Sequence, residues 1–209
     1  MTPRVTIRHF TDPACPPEPS RMRLCWLYGD QLGWELRMIV VREQRGDGWP
    51  EDRASAATIH ACRAVVAARL RWPDREDAML RRLQVLAEAG ELLDDSDTLE
   101  LAAEQAGLPV AEIAAFCAEP EVEAALRADM AAARGYTSPG LEITGALGDL
   151  SRRSDPESAE EVLAWAPHPL ATAEVAAVCD REIPDVRAEL ERGGAHFEPV
   201  GGDGYWSPA

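Results

Sequence analysis

From Ala54 to Arg134 the apolar residues of this chain recur at the helical period of 3.6, with no strand-like alternation in between. That uninterrupted helical stretch is flanked on both sides by short β-like runs. Val5–Phe10 is rich in β-branched and aromatic residues and stops at Thr11-Asp12-Pro13, and Leu32–Val41 is apolar enough for burial on much of both faces. Between these two runs, Pro19 suits the first turn of a short helix that Gly29-Asp30 ends. After the helices, Thr137-Ser138-Pro139-Gly140 introduces a brief strand at Leu141–Thr144. Two strands, a helical block and a returning strand define an α/β chain with a large helical insertion.

Within the insertion, Ile59, Cys62, Val65, Val66 and Leu70 form one stripe, and Met79, Leu80, Leu83 and Leu86 form the next. Asp95 or Ser96 caps a third helix that Gly107 ends, and Val110–Cys117 and Pro120–Arg134 continue the series. Residues 155–165 read as a further helix. Beyond Pro167-His168-Pro169 come two short helices, Thr172–Cys179 and Ile183–Arg192, and a hairpin at Phe197–Trp206 around Gly201-Gly202-Asp203-Gly204. The expected division is 1–53, 54–134, 135–166 and a winged-helix-like tail at 167–209.

Composition narrows the partners. The chain has 209 residues and a formal net charge of −16, and all of its basic side chains are arginines. Such a surface repels phosphates, which argues against nucleic acid and anionic membranes. The tail invites a DNA-binding reading, but from Ala171 onward it carries eight acidic residues against three arginines. Asp185, Glu189 and Glu191 lie on its second helix. A structural or dimer-forming module, giving a homodimer, is expected instead. No apolar leader or spanning segment is evident, and the expected compartment is a bacterial-type cytoplasm in which thiols stay reduced.

The five cysteines, at 15, 25, 62, 117 and 179, have no zinc-like spacing, so no metal site is expected. Cys62, Cys117 and Cys179 fall on apolar helical stripes and read as small buried hydrophobes. His9 alternates with Val5 and Ile7 as a packed strand residue, and His168 and His196 read as surface or turn residues. Trp34, Trp49 and Trp72 are candidates for an apolar pocket wall.

The segment His9-Phe10-Thr11-Asp12-Pro13-Ala14-Cys15-Pro16, the Tyr28-Gly29-Asp30-Gln31-Leu32 junction, the Ala61-Cys62-Arg63-Ala64-Val65 opening of the insertion and the later Ser138-Pro139 together resemble the DsbA-like branch of the thioredoxin superfamily. That branch also contains kappa-class glutathione transferases and 2-hydroxychromene-2-carboxylate isomerases. The resemblance covers residues 4 to 166 and implies a thioredoxin-like sheet, with Cys15 in the active-site loop. It also implies a cis-proline at Pro139 and a pocket between the thioredoxin face and the insertion.

The redox motif is Cys-x-x-Cys, whereas this chain reads Cys15-Pro16-Pro17-Glu18. Glu18 cannot resolve a mixed disulfide. Cys25 lies about six residues into the helix, ~9 Å along its axis, beyond the ~7 Å that disulfide closure tolerates. A lone thiolate suffices for reversible conjugate addition, and placement ahead of a helix N-terminus would favour the anion, against the opposing charge of Glu18. The function expected is cis–trans isomerisation of a conjugated small-molecule or carrier-bound substrate, with Cys15 as nucleophile and His60 as general base or substrate-orienting group. Pro16, Ser138, Pro139 and Trp49 would contact substrate. No tightly bound cofactor is expected, and glutathione or mycothiol is the candidate free thiol. Two alternatives stay open: an oxidoreductase that uses such a thiol, and a non-catalytic protein-binding adaptor.

Overall fold

A computed structural model describes residues 5–40, 53–136 and 138–209. Trp49 lies outside the described residues, so its expected role has no structural counterpart. The elements run β1 (Val5–Thr11), α1 (Pro19–Tyr28), β2 (Leu32–Met38), α2 (Arg53–Arg71), α3 (Glu76–Glu88), α4 (Ser96–Gln105), α5 (Val110–Phe116), α6 (Pro120–Ala132), β3 (Gly140–Thr144) and α7 (Ala159–Trp165). They finish with β4 (Leu170–Ala171), α8 (Thr172–Cys179), α9 (Ile183–Gly193), β5 (His196–Val200) and β6 (Asp203–Ser207). One sheet has the order β2-β1-β3 and the other β4-β6-β5. The α/β class with a helical insertion is therefore observed. The chain forms two compact units.

One unit holds Arg8–Pro16 and Leu36–Glu142. Its core is the expected stripe system without Leu70, which is exposed: Cys62, Val65 and Val66 of α2 pack with Met79, Leu80 and Leu83 of α3, Ala102 and Ala103 of α4, and Val122 and Leu126 of α6. Alanines on α2 and α4 let each of these helices pack closely on α3, and burying the larger side chains stabilises the bundle by ~1.5–3 kcal/mol each. Asp95 rather than Ser96 caps α4, accepting from the Asp97 N–H, and Gly107 follows at φ +73° as the terminating glycine.

Asp129 of α6 is buried in this unit, 3% exposed. Its Oδ2 accepts from the Met38 N–H at 3.1 Å and from Arg69 Nη2 at 2.8 Å, and Arg37 Nη1 lies 3.6 Å from Oδ1. One carboxylate thus ties the end of β2 to α2 and α6.

The other unit holds the chain through Ile7, Pro17–Glu35 and Ile143–Ala209. The tail does not pack alone here. Trp26 and Leu27 of α1 share one core with Val162 and Leu163 of α7, Val175 and Val178 of α8, Val186 and Leu190 of α9, and Trp206 of β6. Trp26 donates its indole N–H to Ser154 O at 2.9 Å and meets Trp165 edge-on, ring centroids 5.2 Å apart. Trp206 donates to Thr172 Oγ1 at 2.9 Å. The hairpin is antiparallel with Pro199 opposite Gly204, where a Cβ would run into the Glu198 carbonyl and the Phe197 ring.

Two boundaries and one added strand stand out against expectation. β2 ends at Met38, and Ile39 and Val40 are buried without being strand. The helix expected from residue 155 starts at Ala159, because Ser158 supplies its cap by accepting from the Glu161 N–H. The two-residue strand β4 has no counterpart in the sequence pattern; it pairs with β6 through Leu170 and Ala171.

Candidate active site

The end of β1 is anchored from three sides. Ile39 donates its N–H to Thr11 O at 2.9 Å, Gln84 of α3 reaches Thr11 Oγ1 at 3.4 Å, and Phe10 stacks on Tyr136 with centroids 4.1 Å apart. Thr11 and Asp12 are both buried. The chain then reverses tightly. Asp12 Oδ1 accepts from the Ala14 N–H at 2.7 Å, and Asp12 O accepts from the Cys15 N–H at 3.0 Å. This is an Asx turn, for which an Asp ahead of a proline is suited. It holds Cys15 partly exposed, with its sulfur in no disulfide.

Behind the turn stands Cys62 of α2, fully buried, its Sγ 3.8 Å from Ile39 O. Burial pushes the Cys62 thiol well above its ordinary range. The nearby charges of Asp12 and Asp129 push it further, Arg63 opposes them, and Cys15 adds a smaller upward contribution. The reading of Cys62 as a packed hydrophobe is right about its burial. It missed that Asp12, Cys15 and Cys62 are electrostatic neighbours, since β1 and α2 are far apart in sequence. Gln84, a polar residue inside the apolar Leu83–Leu86 stripe, was a signal that could have been read.

The remaining expected site residues are placed as follows. Pro16 is exposed next to Cys15. Tyr136, stacked on Phe10, brings the chain back to the end of β1 two residues before the exposed Ser138 and the half-buried Pro139. The Ser138–Pro139 bond is trans, and no cis peptide occurs among the described residues. The cis expectation came from the resemblance alone. The trans form is the favoured state of an X-Pro bond, and here it leads directly into β3.

His60 is exposed on α2, in the lining of a cavity of about 540 Å³ formed by the helices of the insertion. Cys15 is not part of that lining, so this cavity does not bring His60 and Cys15 together. Trp34 lies under Arg21 at 5.1 Å, and Trp72 packs edge-on against Phe116.

The helix end expected to favour a Cys15 anion is already served. Glu18 is the N-cap of α1, its Oε1 3.1 Å from the Ser20 nitrogen. A carboxylate there answers the helix dipole and opposes a second negative charge. Cys117 and Cys179 are half-buried rather than buried, and burial pushes each thiol up to about 11. No group of three or more metal-ligating side chains occurs among the described residues, and none of their helices is long and apolar enough to cross a membrane.

This architecture is a DsbA-like thioredoxin fold with a helical insertion. Among solved structures it is similar to a candidate protein disulfide isomerase from Nitrosomonas europaea, at 13% identity over 90% of this chain and 98% of that one, TM-score 0.51. It is also similar to the oxidoreductase NmDsbA1 from N. meningitidis, at 13% identity over 91% and 88% of the two chains, TM-score 0.49. No family model and no curated protein matches the sequence.

Proposed function

We propose that the protein is a single-thiol enzyme on a DsbA-like scaffold, isomerising a conjugated cis double bond in a small-molecule or carrier-bound substrate. The observation that supports this reading is the partly exposed thiol of Cys15, which forms no disulfide and is presented by the Asp12 turn, with Glu18 in the position of a second cysteine. The Cys15 thiolate adds to the β-carbon, forming a C–S bond while the π pair moves onto the conjugated carbonyl. The former double bond then rotates freely. Return of the pair expels the thiolate and leaves the trans isomer. No electron is gained or lost, so no second sulfur is needed.

Dimethyl maleate is a suitable probe, with conversion to dimethyl fumarate followed by NMR. The full chain should exceed the rate of an equal concentration of free glutathione, and Cys15→Ser should fall back to the uncatalysed rate. Equal rates for the two proteins would overturn the assignment.

A second reading draws on the Nitrosomonas neighbour's description as a disulfide isomerase: thiol–disulfide exchange at Cys15, resolved by glutathione or mycothiol. It predicts a Cys15–glutathione mixed disulfide and insulin reduction that requires added thiol. An adaptor would bind its partner equally well with Cys15→Ser. All three readings place the protein in a reducing cytoplasm, and a homodimer is compatible with each.

A further inference from the structure

The cavity that His60 lines does not include Cys15 in its lining and lies wholly within the helical insertion. Its volume, about 540 Å³, is in the range of small-molecule sites. Met79, Leu99, Val110 and Ile113 supply an apolar interior. The rim is charged, and the charges do not cancel. Arg63 is committed to Glu123, with Nε and Nη2 at 3.2 and 3.0 Å from one carboxylate oxygen, and Arg127 holds the other oxygen at 2.8 Å. Burial alone would raise the Glu123 carboxyl, but the hydrogen bonds from Arg127 and Arg63 outweigh it and hold it below the usual range, so it stays ionised.

Glu100 and Glu119 also line the rim, exposed, with no ion-pair partner among the described residues. The helix N-termini nearby do not reverse this sign. α4 begins with Asp95 and Asp97, and α6 begins with Glu119, Glu121 and Glu123, so each positive end is already answered by carboxylates.

We propose that this cavity is a binding site for a small organic cation, an amine with an apolar body. The hydrocarbon part enters among Met79, Leu99, Val110 and Ile113, and the ammonium stays at the mouth between Glu100 and Glu119. A carboxylate of the same shape would meet Glu100 and Glu119, which outweigh the one positive charge that Arg63 and Arg127 together leave over on Glu123. The site is independent of Cys15, which lies outside the lining.

Three probes sharing one apolar body separate burial from charge: 4-phenylbutylamine, 4-phenylbutan-1-ol and 4-phenylbutyrate, each titrated calorimetrically into the full chain. The amine should bind at least about tenfold more tightly than the alcohol, with butyrate the weakest, as opposite charge across a rim predicts. Glu100→Gln combined with Glu119→Gln changes only exposed side chains. It should bring the amine to the affinity of the alcohol while the alcohol is unaffected. Ala114→Trp, at an exposed lining position, should weaken all three. Cys15→Ser should change none of them, so failure of the thiol reading leaves this test intact. Absence of binding by all three probes, or butyrate or alcohol binding as tightly as the amine, would overturn the proposal.

Discussion

Glu18 Oε1 accepts a hydrogen bond from the Ser20 N–H at 3.1 Å, so a carboxylate side chain occupies the start of α1. In a dithiol oxidoreductase a second sulfur would stand at this place in the motif. Here the residue caps the start of a helix instead, and the chemistry proposed for Cys15 has to proceed with one sulfur.

Glu18→Ala removes that cap from a helix that contributes Trp26 and Leu27 to a core. Loss of such a cap costs about 0.5–1 kcal/mol. Urea denaturation of the variant should show a lower midpoint with an unchanged slope. An unchanged midpoint would mean that the Ser20 N–H is equally well served by water.

Asp129 is the polar centre of the helical unit, with Arg69 at 2.8 Å and the Met38 N–H at 3.1 Å. Asp129→Ala should cost about 3–5 kcal/mol, because it strands a guanidinium and a backbone donor beside a buried gap. Asp129→Asn keeps an acceptor for Met38 and should cost less. Chemical unfolding of both variants checks the order, and equal stability of the two would contradict it.

The thiols of Cys117 and Cys179 are raised by burial to about 11. At pH 8 such a group is only about one-thousandth ionised. Both should therefore alkylate far more slowly than an exposed thiol, with Cys62 slower still because its thiol is buried outright. The sign for stability follows. An unfolded chain releases these protons at lower pH than the folded one, so stability is unaffected below about pH 9 and falls as pH rises from there towards 11. Urea midpoints across that window measure it, and a rise with pH would contradict the assignment.

Much of the fold could be read from local chemistry. Pro19 and Gly29 bracket α1, Gly107 ends α4, and the alternation of apolar stripes fixed the helical block. What failed depended on distant partners. β4 is two residues long and exists because β6 pairs with it. The four-residue delay in α7 reflects capping by Ser158. At the candidate site, Cys15 was legible from the Asp12-Pro13 turn and the missing second cysteine. Asp12 and Cys62 as its neighbours were not, because α2 reaches β1 only in the folded chain. The cis geometry of Pro139 had no local sequence support and did not materialise.

The most direct test is site-resolved alkylation of the native full chain with limiting iodoacetamide at pH 7, read by mass spectrometry of each cysteine peptide. The account predicts that Cys15 is modified first, ahead of Cys25, Cys62, Cys117 and Cys179. A Cys15 that resists labelling until the chain is unfolded, or that Cys25 matches or outpaces, would contradict it.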